Sequence, residues 1–351
     1  MLESLIAYPK AEPLCPVFGA CGGCLYQDVT YEAELEIKHQ KLRDLLGSQA
    51  GIDPFLVQPV TASPESYHTR SRLDLTLRKY RNGDLLVGFM PEQGKRVVEI
   101  DACAIARREI SQFIPELKEL AARKLPPDYQ TANLVVKTGD DGRVAWGGIG
   151  RRSLVMNPED YLWTELRGRK IFYSLETFFQ ANHGILPQLL DCIETLTPLS
   201  RRKVFWDLYS GVGLFGIGLT DLFSRIIMIE EHSGSVAIAR HNTSFHGLPH
   251  VEVHEGRVED RLGEVLSGAL PGESTAMIDP PRKGLSPSAL EMLVKTPVID
   301  FLFYLSCKPE SLVRDLGVLI PAGWQVRTVV PFDFFPRTRH LETLVLLERR
   351  G

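Results

Sequence analysis

Val204-Phe-Trp-Asp-Leu-Tyr-Ser-Gly-Val-Gly-Leu-Phe-Gly-Ile-Gly218 is the stretch from which the rest of the chain is read. An apolar run ends in an acid, Asp207, and turns at Gly211-Val-Gly213 into an apolar segment, Leu214–Phe223, expected to be a helix. A second apolar strand, Arg225–Ile229, ends in Glu230, nineteen residues past Gly211. This is a βαβ plan, in which glycines let the backbone approach a nucleotide-like ligand and an acid ending the second strand holds ribose hydroxyls. Gly216 adds an x-x-G, but no pyrophosphate context accompanies it, so a dinucleotide phosphate cradle is not established. An adenosyl ligand bound without a phosphate clamp, S-adenosylmethionine, fits such a site.

Size and composition bound the alternatives. A chain of 351 residues predicts two or three domains, and 44% apolar residues suffice for a sizeable core. With a net charge of −4, any nucleic-acid surface must be local. No apolar run is long enough to cross a bilayer and Met1-Leu-Glu-Ser starts no secretory signal, so a cytoplasmic protein acting as a monomer is expected. Six unevenly spread cysteines do not make a secreted disulfide scaffold; in a reducing compartment such a group binds metal or performs chemistry.

Three of them form Cys15-x5-Cys21-Gly-Gly-Cys24, a glycine-rich loop suited to wrapping something compact. Cys103 is the best fourth ligand, since Cys192 lies in an apolar helical run and Cys307 has another use. Four thiolates can hold a [4Fe–4S] cluster or a zinc ion, and three grouped cysteines plus one distant one favour the cluster. Residues 1–60 are therefore expected to be a cysteine-cluster segment with a packing helix, Tyr31–Leu46. Residues 61–166 alternate as strands around Arg81-Asn-Gly-Asp84 and Gly139-Asp-Asp-Gly142, with a helix Ile110–Lys124, and are expected to form a central α+β domain. Arg70, Arg72, Arg78, Lys79 and Arg81, with Tyr67 and Tyr80 among them, are either a surface for RNA phosphates and bases or simply a solvated strand face.

Residues 167–351 alternate strands and helices, which predicts a mostly parallel sheet closed by a C-terminal antiparallel pair. Asp207, Glu230, Asp279 and Cys307 all end strands, where such sheets bind ligands. Cys307 precedes Pro309 and a helix whose N-terminus is expected to lower its thiol pKa.

Together Cys15-x5-Cys21-Gly-Gly-Cys24-x2-Gln27, Phe179-Gln180-x-Asn182, Asp207-Leu-Tyr-Ser-Gly211-Val-Gly213, Asp279-Pro-Pro-Arg282-x-Gly284, Ser306-Cys307-x-Pro309 and Pro336-x-Thr338-x-His340-x-Glu342-Thr343 occur in order. This series resembles the S-adenosylmethionine-dependent RNA (uracil-5-)-methyltransferases that carry a [4Fe–4S] cluster. The resemblance implies a Rossmann-like class I methyltransferase domain with RNA as partner. It implies Cys307 as nucleophile at uracil C6 and Glu342 as the base that removes the C5 proton. His340, two residues before Glu342 and so on the same face of a strand, is either a substitute or assistant base or, the commoner case, a structural histidine. It further implies Gln180, Tyr209, Glu230 and Asp279 as cofactor-binding residues, and Cys15, Cys21, Cys24 and Cys103 as cluster ligands.

The chain departs from the family pattern at Ser210, where cysteine is usual, at Lys308, where asparagine is usual, and at Arg257, where an acid is frequent. Only fourteen residues precede Cys15, so RNA capture is expected to fall to the central segment rather than to an N-terminal β-barrel, as in shorter rRNA-modifying members. That favours rRNA over tRNA. The alternative is a non-catalytic RNA-binding or redox-responsive iron–sulfur protein on a methyltransferase scaffold, against which Cys307, Glu342 and Asp279 stand.

Overall fold

Helix α1 (Tyr31–Ala50) is opened by Thr30, whose hydroxyl accepts the Ala33 N–H at 3.3 Å. The computed structural model describes residues 8–91, 94–124, 130–149, 158–266 and 272–349. The central segment supplies β1 (Arg72–Lys79), β2 (Leu85–Phe89), β3 (Val98–Glu99), α2 (Arg108–Lys124), β4 (Thr131–Thr138) and β5 (Val144–Ile149). Next come β6 (Leu162–Leu166), β7 (Arg169–Tyr173) and α3 (Leu186–Leu196). Alternation follows: β8 (Val204–Leu208), α4 (Leu214–Gly218), β9 (Arg225–Glu230), α5 (Ser233–Phe245), β10 (Val251–Glu255), α6 (Val258–Val265), β11 (Ser274–Ile278), α7 (Pro287–Lys295), β12 (Phe301–Ser306) and α8 (Pro309–Leu319). Strands β13 (Trp324–Phe332) and β14 (Glu342–Arg349) complete the described elements.

Seven strands form one sheet in the order β10-β9-β8-β11-β12-β14-β13. The first five are parallel, and β14 enters antiparallel to both its neighbours, as the alternation in the sequence predicts. Successive side chains leave opposite faces of these strands, which divides the core in two. Phe205, Met228, Met277 and Phe303 pack with α3, α4, α5 and the β6–β7 hairpin. Trp206, Ile227, Ala276 and Leu302 pack with α1, α6, α7 and α8. The hairpin thus shares the core of the large sheet, and the expected division between residues 166 and 167 falls at its turn. Strand order runs outward from β8 on one side and β11 on the other, so the crevice of the fold opens between their carboxyl ends.

The central strands make an antiparallel sheet, β3-β2-β1-β4-β5, whose Leu73, Leu75 and Leu77 face Ile110, Ile114 and Leu117 of α2. One expectation fails. The segment Leu214–Phe223 is not a continuous helix: α4 spans five residues and a single 3-10 turn follows at Thr220–Leu222. Glycines at 216 and 218 weaken a helix. They are there for contact instead, since a Cβ on Gly216 would stand 2.6 Å from Met228 Sδ.

Candidate active site

Sheet register brings the acids and the thiol to one edge. Leu305 pairs with Leu344 and Ser306 with Thr343, so the next two residues, Cys307 and Glu342, stand level across the β12–β14 ladder. Ile278 is level with Leu208 on one side and Tyr304 on the other, which places Asp279 between the glycine turn and the strand carrying Cys307.

On the glycine side, Asp207 Oδ2 accepts the Gly216 N–H at 2.8 Å. Glu230 accepts the Gly211 N–H at 2.9 Å and the His232 N–H at 2.8 Å, so its carboxylate is fixed beside the turn. Burial pushes the Asp207 carboxyl up to about 7, and the charges of Asp279 and Glu230 add to the rise. The Gly216 amide is occupied by a carboxylate and three acids crowd the turn, so a pyrophosphate is disfavoured and a cationic sulfonium favoured. Gln180 is buried and donates from Nε2 to Asp279 Oδ2 at 3.1 Å. Tyr209 takes a left-handed backbone, φ 66°, and packs against the core shared by α1, α6, α7 and α8. Gln180, Glu230 and Asp279 are therefore drawn together around the turn, while the Tyr209 ring leans to its far side.

On the catalytic side, the expected lowering of the Cys307 thiol is not what the surroundings produce. Burial, with the charges of Glu342 and Asp279 beside it, raises it to about 11. The nearby Arg282 guanidinium opposes them. Glu342 is buried, its Oε2 has no hydrogen-bond partner among the described residues, and burial with the Asp279 charge holds its carboxyl well above the usual range. His340 is driven down to about 4 by burial and by the cations Arg282 and Arg70, so its imidazole is neutral and packs edge-on to Phe335.

Sequence reasoning quoted Arg282 inside a motif without giving it a role, and it missed Asp315 altogether. Asp315, fully buried on α8, accepts the Leu285 N–H at 2.8 Å and the Tyr304 hydroxyl at 2.6 Å through Oδ2. Ser311 of the same helix donates to the Arg282 carbonyl at 2.8 Å. A Cβ on Gly284, whose φ is +73°, would lie 2.5 Å from Asp315 Oδ2. Helix α8 therefore holds the 279–285 loop against the strand that ends at Cys307. A buried acid on a helix is a signal, but its partners lie thirty and eleven residues away.

Cys15, Cys21, Cys24 and Cys103 line one cavity enclosing about 30 Å³, with Arg70 in its wall. Cys192 sits apart on α3, packed against the other face of the protein's core. Among the described residues no three His, Cys, Asp or Glu stand close enough to hold a single metal ion. A cuboidal cluster holds its ligand sulfurs farther apart than one ion does and takes four thiolates, the donor set that these four cysteines offer in a cavity otherwise lined mostly by apolar residues. The Cys15 N–H donates to Gln27 Oε1 at 3.1 Å, and Leu25 and Tyr26 N–H groups donate to the Arg337 carbonyl at 2.8 and 3.2 Å. The cysteine loop is thus pinned to the segment that leads into β14.

The arginine-rich strand does not form one patch. Arg72 pairs with Asp74 at 2.7 Å, Arg78 and Arg96 lie over the Tyr80 ring at 5.2 and 4.8 Å, and Arg70 turns to the cysteines. Among the described residues no helix is long and apolar enough to cross a membrane.

Several known proteins share this chain's sequence or fold. An uncharacterised RNA methyltransferase of Clostridium acetobutylicum is 29% identical, over 97% of this chain and 84% of the relative. The 23S rRNA (uracil(1939)-C(5))-methyltransferase RlmD of Aliivibrio fischeri is 26% identical, over 97% and 83%. In structure, the tRNA (uracil-54, C5)-methyltransferase of Pyrococcus abyssi, solved with S-adenosyl-L-homocysteine, superposes with a TM-score of 0.71 at 22% identity, covering 93% of this chain and 85% of that one. A family model described as tRNA (Uracil-5-)-methyltransferase matches residues 147–350, a span that contains the glycine turn, the 279–285 loop, Cys307 and Glu342, and the chain belongs to that family.

Proposed function

We propose that this RNA (uracil-5-)-methyltransferase works by covalent catalysis on one uridine of ribosomal RNA. Uracil C5 is too weak a nucleophile to take a methyl group unaided. The Cys307 thiolate adds to C6, and the electron pair of the C5–C6 bond becomes available at C5. S-Adenosylmethionine, when bound, supplies the methyl group that C5 takes. Glu342 then accepts the C5 proton, the C5–C6 double bond re-forms, and the thiolate leaves. Gln180, Tyr209, Glu230 and Asp279 would hold the cofactor, with Glu230 on the ribose.

The observation that carries this reading is the β12–β14 register, which sets Cys307 level with Glu342. The preference for rRNA is supported by the relative RlmD, aligned over 97% of this chain. Arg78 and Arg96 around Tyr80 supply the RNA contact of the central segment, and the four clustered cysteines hold a [4Fe–4S] group. The test uses RNA containing 5-fluorouridine, whose fluorine cannot leave as a proton does. A stable cofactor-dependent adduct is expected with the parent, and none with Cys307→Ala. A Cys307→Ala variant that still forms it overturns the mechanism. Mapping 5-methyluridine in total RNA from cells with and without the gene decides the substrate, and a site lost from tRNA alone overturns the rRNA preference.

A further inference from the structure

Arg70 is mostly buried, lines the cysteine cavity, and has no carboxylate within ion-pair distance among the described residues. A desolvated guanidinium without a counter-charge is costly, so its position implies an anionic neighbour on the cysteine side. Its connections run the other way as well. The Arg70 N–H donates to the Ile105 carbonyl at 2.9 Å and its carbonyl accepts the Arg107 N–H at 2.8 Å, which clamps it to the segment carrying Cys103. The next residue, Ser71, donates its N–H to the Ala181 carbonyl at 2.7 Å and its hydroxyl to the same oxygen at 2.9 Å, one residue past Gln180. The guanidinium itself lies over the Phe335 ring, 5.6 Å from its centroid. Phe335 stacks edge-on to His340, at 5.8 Å, two residues before Glu342.

We propose that Arg70 is a positioning residue through which the cysteine module sets the geometry of the catalytic cleft. Its side chain balances the negative charge of the thiolate-held cluster while bracing the loop that leads to Glu342, and its backbone braces the turn that carries Gln180. This rests on the cluster reading above. It gives the cysteine module a task in the reaction beyond holding the fold.

The experiment compares anaerobically purified parent, Arg70→Gln, Arg70→Lys and Phe335→Leu for iron per chain, cluster reduction potential, and kcat and KM for methyl transfer. Arg70→Gln is expected to keep its iron, to be harder to reduce because a stabilising positive charge is gone, and to lose about tenfold in kcat. Arg70→Lys restores the potential. Phe335→Leu leaves iron and potential unchanged and lowers kcat. A parent without iron overturns the cluster reading, and this proposal with it. An iron-bearing parent whose Arg70→Gln variant matches it in potential and kcat overturns the proposal alone. Should Arg70→Gln lose its iron, Phe335→Leu decides: unchanged kcat overturns the bracing role.

Discussion

Asp207 shows how one buried carboxyl couples the site to stability. Its pKa lies near 7 in the folded chain, against about 3.9 in an unfolded one, so the native state keeps a proton that the unfolded state has released. Stability contributed by this group is present at low pH, falls as pH rises toward 7, and is flat beyond. Asp207→Asn keeps an oxygen for the Gly216 N–H and removes the titration. Urea unfolding at pH 5 and pH 8 is expected to show the variant gaining on the parent by about 2 kcal/mol between the two. Parallel changes in both proteins would refute this. At this scale the sequence was informative wherever chemistry is local: Asp207, Glu230, Asp279 and Cys307 lie at or beside the carboxyl ends of strands, and the strands were visible as apolar runs. Arg70 was read as surface because its partners, Cys24, Cys103 and Phe335, are remote along the chain. The Cys307 thiol was misjudged for the same reason: the helix beside it was legible, and the acids facing it were not.

At the level of elements, α1 was legible as a helix and its charges were not legible as a core. Lys38, buried, pairs with Glu34 and with Asp333, both at 2.7 Å, and donates to the Phe335 carbonyl at 3.2 Å. Asp333 also accepts the Tyr31 hydroxyl at 2.9 Å. The Arg337 N–H donates to Glu34 at 2.7 Å, and its guanidinium lies between the Tyr31 and Tyr67 rings, 5.2 and 4.7 Å from their centroids. A Lys and a Glu four apart on a helix ordinarily read as a solvated pair. Here they are sealed in, and removing one partner strands the others. Lys38→Met is expected to lower unfolding free energy by about 3–5 kcal/mol, measured by denaturant titration. A loss under about 1 kcal/mol would mean the pair behaves as an exposed one. Helix α4 makes the converse point, since the glycine inside it is fixed by a remote neighbour: a Cβ on Gly216 would stand 2.6 Å from Met228 Sδ on β9.

For the whole molecule, the mostly parallel character of the large sheet and its C-terminal antiparallel pair were legible from alternation, while the strand order was not. How the cysteine module and the central sheet meet the cleft was not, since those junctions are made by single residues such as Arg70 and Ser71. RNA recognition belongs to this scale too. Removing both guanidiniums around Tyr80, by Arg78→Ala with Arg96→Ala, is expected to weaken RNA binding across sequences and to reduce the salt dependence of log K by about 1 to 2. Filter binding over a salt series measures it, and an unchanged slope would remove these residues from the RNA contact.

The buried charges of α1 find their partners at residues 333–337, some three hundred positions later. During synthesis α1 therefore leaves the ribosome with Lys38 and Glu34 facing water, and it completes its docking only once residues 333–337 have been made. Polypeptides released before that point would leave α1 undocked and lack Glu342, so one late stretch of chain gates both the fold and the proposed base.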